Sequence, residues 1–258
     1  MANKVSGNTI IIRAGQGTLS FLCGEEYHQY PVKSGMSISA NLREAFREQP
    51  YLQQPIAKAI LKVTTPVVLI PKEDYLDTAD FDADAMYSYV LTGHKGEVKI
   101  IKELPELEAV ALFSVNSDLQ MVVGDNSHDV EVENVMLPVW KHFYSNYYQM
   151  GQRRKMFCYF HDRQMDICSF EQRRLKYANV FDAQHAHDAL YYMLFVWKQL
   201  GMNQTEDDLY VIGDMPHKDW LMERLKAYLS RVHEIDPKAS LNRSPLAEIE
   251  SMPFDLMV

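Results

Sequence analysis

The chain has 258 residues, of which 47% are hydrophobic and 24% are charged, and its formal net charge at pH 7 is −9. These values are typical of folded globular domains and argue against extensive disorder. The acidic balance disfavours nucleic acid as a partner, because affinity for a phosphate backbone depends on basic surface. No apolar run approaches the roughly 20 residues of a membrane-spanning helix, so we expect no membrane insertion.

The N-terminal residues and the number of cysteines indicate the cellular compartment. The first residues carry one lysine and a short apolar run before Arg13, which is not the pattern of a secretory signal. Cys23, Cys158 and Cys168 are too few, and odd in number, for a disulfide framework. We therefore expect a cytoplasmic protein.

The first half of the chain begins with three predicted strands, NTIIIRA, GTLSFLC and YHQYPVK, joined by short turns. SISANLREAFREQ follows as an amphipathic helix with Ser37 or Ser39 as its N-cap, and AKAILKVTTPVVLIP supplies further strand. These patterns predict the order β-β-β-α-β.

The segment 77–150 interrupts this order and is predicted to be an insertion. FDADAMYSYVLTG indicates a helix, EVKIIKEL and EAVALFSV indicate strands, and VMLPVWKHFYSNYYQ indicates an aromatic-rich helix. The aromatic residues of the last helix recur every three or four positions, which favours packing against a sheet or against the other half.

The second half predicts the order β-β-β-α-β-α. KMFCYF and MDICSF, separated by HDRQ, are typical of a β-hairpin, and RRLKYANVF is a third strand. DAQHAHDALYYMLFVWKQLG indicates a helix, DLYVIG a buried strand, and MPHKDWLMERLKAYLSRV a second helix.

The two halves share their order of elements although their letters differ. Placing Thr18 on Gln164, an offset of 146, superposes hairpin on hairpin, and internal duplication is the simplest interpretation. We predict a first lobe at 1–150 that includes the insertion, a second lobe at 151–237 and a tail at 238–258. We expect the tail either to extend freely or to pack on the body through its apolar residues, which are Met252, Phe254, Leu256 and Met257.

Two successive units of this order resemble the actin-like ATPase fold, in which a ribonuclease-H-like unit is duplicated and nucleotide binds between the halves. The whole chain is also similar to an uncharacterised bacterial family of that fold. The resemblance implies a mixed α/β architecture of two ribonuclease-H-like lobes. It also implies that each lobe opens with an Asp-x-Gly hairpin, whose glycine admits phosphate to the backbone and whose aspartate holds magnesium.

The first hairpin and the adenosine motif match this pattern only in part. Gly15 and Gly17 lie in the first turn, but Arg13 stands where the aspartate is expected. The strand LYVIG resembles the start of the adenosine motif and keeps Gly213, but Asp214 replaces the second glycine. A carboxylate facing a phosphate tail is unfavourable unless it is paired.

The second hairpin departs further. Tyr159 and His161 occupy the expected aspartate and glycine positions, and Asp162 would take one of these positions only through a costly shift of hairpin register. A metal site is an alternative interpretation of this region, since it is rich in histidine, cysteine and aspartate. The spacing favours a plain hairpin and helix cap instead, so we predict neither a metal site nor catalytic residues.

Two functional hypotheses follow from the resemblance. The first is a non-catalytic protein-interaction or scaffold protein with a degenerate nucleotide cleft, an unidentified protein partner and no cofactor. The second is an ATP-binding protein or small-molecule kinase that binds ATP and Mg²⁺ at a rearranged site formed by Gly15, Gly17, Asp162, Gly213 and Asp214. An open cleft between Gly15 and Asp162 would favour the second hypothesis, whereas a cleft filled by Arg13 and Tyr159 would favour the first.

Overall fold

Three β-sheets form the framework of the protein, as a computed structural model shows. The structure describes residues 9–77, 81–91, 96–148, 151, 153–171, 174–240, 249 and 251–258. Its elements up to the first crossover are β1 (Thr9–Ala14), β2 (Thr18–Cys23), β3 (Glu26–Pro31), α1 (Ile38–Glu48) and β4 (Ile56–Val63). The next are β5 (Val68–Pro71), α2 (Lys72–Asp77), α3 (Ala83–Val90), β6 (Val98–Leu104) and β7 (Ala109–Val115).

The remaining elements complete the first half and build the second. The first half ends with α4 (Ser117–Asn126), β8 (Ser127–Asn134) and α5 (Met136–Phe143), which continues as one π-helical turn at Tyr144–Tyr148. The second half contains β9 (Lys155–His161), β10 (Gln164–Glu171), β11 (Arg174–Asp182), α6 (Ala186–Gln199), β12 (Asp208–Gly213), α7 (Lys218–Tyr228), β13 (Val232–Glu234) and α8 (Phe254–Met257).

The first sheet has the order β3-β2-β1-β4-β8, with β1 parallel to β4 and antiparallel to β2. Its centre is apolar because Ile10 and Ile12 of β1 and Leu61 of β4 are buried. Helix α1 begins where the sequence predicts, since the side chain of Ser37 accepts a hydrogen bond from the Ala40 N–H.

The three-stranded sheet, in the order β5-β7-β6, comes from the middle of the first half. It covers only part of the predicted insertion at 77–150, because β8 pairs with β4 and so belongs to the first sheet. Both α4 and β8 were missing from the sequence-based prediction. The pattern of α4 is weak because Gly124 lies inside the helix, and β8 carries charged residues along most of its length.

The second sheet repeats the first. Its order is β11-β10-β9-β12-β13, and β9 is parallel to β12 and antiparallel to β10. The predicted order of the second half is confirmed as far as α7, and β13 is an addition to it. At the offset of 146 residues, the first residue of β2 coincides with the first residue of β10. The two hairpins therefore occupy equivalent positions in two similar sheets.

The aromatic helix α5 joins the two halves. The ring of Phe143 stacks on Phe157 of β9, with 4.8 Å between centroids, and lies 6.0 Å from Phe254 of α8. Trp140 and Tyr144 are buried on the same helix. The predicted packing of this helix is therefore confirmed. Of the two alternatives for the tail, the structure shows packing on the body, since the apolar side chains Met252, Phe254 and Leu256 are buried.

Gly213 ends β12 in a conformation that suits glycine. Its φ is +98°, and a Cβ added there would overlap the backbone carbonyl of Phe160 in the neighbouring strand β9. The next amide, of Asp214, donates a 3.1 Å hydrogen bond to the same carbonyl. A side chain at position 213 would therefore separate two paired strands.

Replacing this glycine should destabilise the fold. We expect Gly213→Ala to lower the free energy of unfolding by about 2 kcal/mol or more, through backbone strain and the clash with Phe160. Gly124→Ala is the matched control, because a Cβ there meets nothing within 4 Å. Because position 124 lies inside α4, Gly124→Ala should raise the free energy of unfolding by about 0.5–1 kcal/mol. Urea unfolding of both variants measures the contrast, and equal stabilities would contradict it.

Candidate functional site

The turns of the two equivalent hairpins contact each other. Asp162 and Arg163 form the two-residue turn between β9 and β10, and both have positive φ, 47° and 63°, as a type I′ hairpin turn requires. This turn points the Asp162 carboxylate at the first hairpin, where the Gln16 N–H donates to its Oδ1 at 3.1 Å. A backbone donor of the glycine turn is therefore occupied by a carboxylate of the same chain.

Arg13 lies between two carboxylates and is itself almost fully buried. Its Nη2 is 2.6 Å from Oδ2 of Asp162, and its Nε is 2.9 Å from Oδ1 of Asp255. Burial alone would lower the pKa of Arg13, but the charges of Asp255 and Asp162 raise that pKa well above its ordinary value. The guanidinium therefore stays charged and paired.

Asp255 comes from α8, 242 residues from Arg13 along the chain, and its exposed fraction is 0%. The Tyr159 hydroxyl donates to its Oδ2 at 2.8 Å, and the buried Lys62 of β4 donates to its backbone carbonyl at 2.6 Å. Asp255 thus contacts β1 and β4 of the first sheet and β9 of the second. It holds the tail and the two sheets together.

Arg13 and Tyr159 occupy equivalent positions of the two sheets, at the same separation of 146 residues as Gln16 and Asp162. These are the positions at which the resemblance implies metal-binding aspartates. In this chain neither position carries an acid, and both side chains bind the one carboxylate of Asp255. Burial raises the pKa of Tyr159 well above its ordinary value, so its hydroxyl remains a donor.

His161 completes the network as a buried cation. Its Nδ1 is 2.9 Å from Asp162 and its Nε2 is 2.8 Å from Asp166. Burial alone would lower the pKa of His161, but the hydrogen bonds to Asp162 and Asp166 outweigh it and raise the pKa to about 9. The pKa of Asp162 is held well below its usual range, since the bonds from His161 and the charge of Arg13 outweigh the effect of burial.

The predicted binding residues lie in the two hairpin turns and at the end of the neighbouring strand β12. Gly15 and Gly17 lie in the first turn beside Asp162, and a Cβ added at Gly15 would overlap both Asp162 and Arg13. There is thus no open cleft between Gly15 and Asp162. Gly213 and Asp214 lie at the end of β12, where the glycine is required by strand packing.

The second hairpin keeps its predicted register, and the structure adds two residues to the site. His161 pairs with Gln164, so Tyr159 keeps the expected aspartate position and Asp162 lies in the turn itself. Asp255 and Lys62 were missed by the sequence analysis. Each is a lone charge within an apolar run, PFDLM and AILKV, and buried charges require partners. A lone charge within an apolar run also occurs around Arg13, in IIIRA. This pattern is the sequence signal by which the buried charges could have been found.

Two other expectations concern metals and membranes. Within the described ranges, histidine, cysteine, aspartate and glutamate side chains form no group of three that suits a metal ion. Cys158 and Cys168 are buried free thiols on adjacent strands. Among the described helices, none has the length and apolar content needed to cross a bilayer.

The architecture places the chain in a known class, the actin-like ATPase fold. A Bacteroides thetaiotaomicron protein described as having this fold and unknown function is similar, with a TM-score of 0.80, 22% identity, and coverage of 97% of this chain and 100% of that one. The PilM-PilN type IV pilus biogenesis complex is similar with a TM-score of 0.58, 10% identity and coverage of 93% and 96%. The chain belongs to the DUF3822 family of proteins of unknown function, which it matches over residues 3–232. No curated protein matches it.

Removing the buried carboxylate should be costly. Asp255→Asn leaves the Arg13 guanidinium without one of its charged partners, and breaking a buried ion pair costs about 3–5 kcal/mol. Glu103→Gln is the control, because it removes the exposed pair with Lys72 at 3.4 Å and should leave the unfolding midpoint close to wild type. Chemical denaturation compares them. A stable Asp255→Asn variant would mean that the tail is not held by its charge.

The His161 network predicts an alkaline loss of stability. Since the folded-state pKa of His161 is about 9 and its ordinary value is 6.5, its contribution is fully present below pH 6.5 and is lost as pH rises through about 9. The expected loss is on the order of 3 kcal/mol. Urea midpoints from pH 6 to 9.5 should fall more steeply for wild type than for His161→Gln. Parallel curves would rule out this role.

Proposed function

We propose that this protein is a non-catalytic member of the actin-like class that binds a protein partner and has a degenerate nucleotide cleft. The observation that carries the proposal is the buried network of Arg13, Asp162 and Asp255. It uses the backbone donor of Gln16, and it places a cation and the tail where the resemblance implies phosphate and magnesium. The free thiols Cys158 and Cys168 support a reducing, cytoplasmic location.

The state of Asp162 supports this proposal on electrostatic grounds. A magnesium ligand must offer its carboxylate to the ion, usually with several bound waters. Asp162 already accepts hydrogen bonds from Arg13, His161 and Gln16. A divalent cation would have to displace these bonds beside a buried guanidinium, and repulsion between the two cations opposes that exchange.

A protein partner is supported by analogy within the class. PilM-PilN is a complex of two proteins in type IV pilus biogenesis, and a similar fold occurs in it. Likeness of fold does not fix function, so the analogy supports only the kind of role, an assembly contact, and no particular partner.

ATP binding at a rearranged site is the second candidate. One observation favours it, since the Gly15–Gly17 turn and Asp162 do come together. It would require the tail to release Arg13 and Asp162 to release the Gln16 N–H, so that both become available to phosphate. The binding free energy of nucleotide would then have to be at least as large as the free energy that the buried ion pair of Asp255 contributes to the fold.

Nucleotide should not stabilise the protein. We expect no change of thermal midpoint with millimolar ATP or ADP, with or without magnesium, since ligand at 100 times its dissociation constant would add about 2.7 kcal/mol. An ATP-binding actin-like protein measured in parallel verifies the assay.

Gly17→Ala distinguishes specific from non-specific shifts. A Cβ at Gly17 meets nothing within 4 Å, so the variant should fold normally and differ only if phosphate approaches that turn. A magnesium-dependent shift in wild type that is lost in Gly17→Ala would overturn the proposal in favour of the second candidate.

A further inference from the structure

A groove of about 470 Å³ separates the three-stranded sheet from the second five-stranded sheet. Residues 66–71 form one wall and residues 175–180 form the other, six consecutive positions on each side. Successive side chains of a strand point to opposite faces. An uninterrupted run of lining residues therefore means that the edges of β5 and β11, with their backbone groups, face the groove.

The edge of β5 has a defined direction of hydrogen bonding. The Lys72 N–H donates to the Glu108 carbonyl at 3.0 Å, and bonded pairs alternate along an antiparallel ladder. Ile70 and Val68 therefore bond toward β7, whereas Leu69 points its N–H and carbonyl outward. Pro71 also faces outward, where its missing N–H breaks no ladder bond. Within the described chain, β5 is the end of its sheet.

The same reasoning applies to β11. The Ala183 N–H donates to the Arg163 carbonyl at 3.0 Å, so alternate residues down to Tyr177 bond toward β10. Ala178 and Val180 point outward. The Val180 N–H is satisfied locally by the Asn179 side chain at 2.9 Å, which leaves the outward N–H of Ala178 without a partner among the residues that the structure describes. In the described part of the chain, β11 ends its sheet as well.

Most side chains around the groove are apolar, and Glu108, Asp166, Lys176 and Asn179 line it as well. Val68 and Leu69 on one wall and Leu175 and Tyr177 on the other are all half-buried, and the buried Trp140 ring also lines the space. Half-buried apolar walls with backbone donors and acceptors suit an extended segment, which offers both apolar side chains and regularly spaced amides.

We propose that this groove binds an extended apolar segment of a partner protein, which adds as a strand between the edges of β5 and β11. The inference rests on the proposed protein-binding function and assigns it a place. The four-residue β5 fits a single strand, which rises about 3.4 Å per residue.

The test uses the full chain and displayed random heptapeptides as probes. Peptides that the immobilised protein recovers are synthesised, and their Kd is measured by fluorescence anisotropy. Leu69→Pro and Ala178→Pro each remove one outward N–H and should weaken binding about tenfold. Leu69→Val and Ala178→Ser keep the N–H and should bind within about twofold of wild type.

Modified peptides test the same contact on the wild-type protein, independently of how well the proline variants fold. N-methylation of central peptide amides should weaken binding about tenfold, and methylation of terminal amides should not. Equal affinity of methylated and unmethylated peptides would overturn strand addition.

Other outcomes separate this inference from the proposed function. Recovered peptides that bind the proline variants as tightly as wild type would place the contact elsewhere, so the groove inference fails while protein binding stands. Recovery of no peptide also overturns the groove inference. Dimerisation of wild type that Leu69→Pro abolishes would assign the groove to a second copy. Magnesium-dependent ATP binding would instead overturn the proposed function.

Discussion

The buried ion pair between Arg13 and Asp255 is the constraint on which the centre of the molecule depends. A guanidinium inside the central strand β1 cannot stay charged without a partner, because desolvation of an unpaired charge exceeds what apolar packing returns. The first lobe supplies no carboxylate at this position, so the partner comes from the last residues of the chain. Docking of α8 is therefore an electrostatic requirement as well as an apolar one.

This requirement links the tail to both lobes. The same carboxylate accepts from Tyr159 on β9, and the backbone carbonyl of Asp255 accepts from Lys62 on β4. The positions at which the resemblance implies metal and phosphate thus hold paired cations and carboxylates. The actin-like fold is kept, and a structural contact occupies these positions, as is expected when sites vary on a shared fold.

Most of the framework was predictable because its signals are local. The β9–β10 hairpin, the Ser37 cap and the two-lobed order can be derived from alternation, turn residues and helical periodicity over short windows. Helix α4 was not predictable, since Gly124 weakens its pattern. The site was predictable only in part. Asp255 and Arg13 lie 242 residues apart, and no local rule pairs two charges at that distance.

The edge strands β5 and β11 block pairing with another strand at some positions and allow it at others. Exposed edges risk uncontrolled association, and proteins restrict them with prolines and local caps. Pro66 and Pro71 bracket the edge of β5, and Asn179 closes one outward amide of β11. Between these blocks, Leu69 and Ala178 keep outward N–H groups in the groove. Because the molecule's own tail binds Arg13 at the centre of the first sheet, we propose this short bracketed opening, and not the central cleft, as the place where a second protein pairs with the backbone.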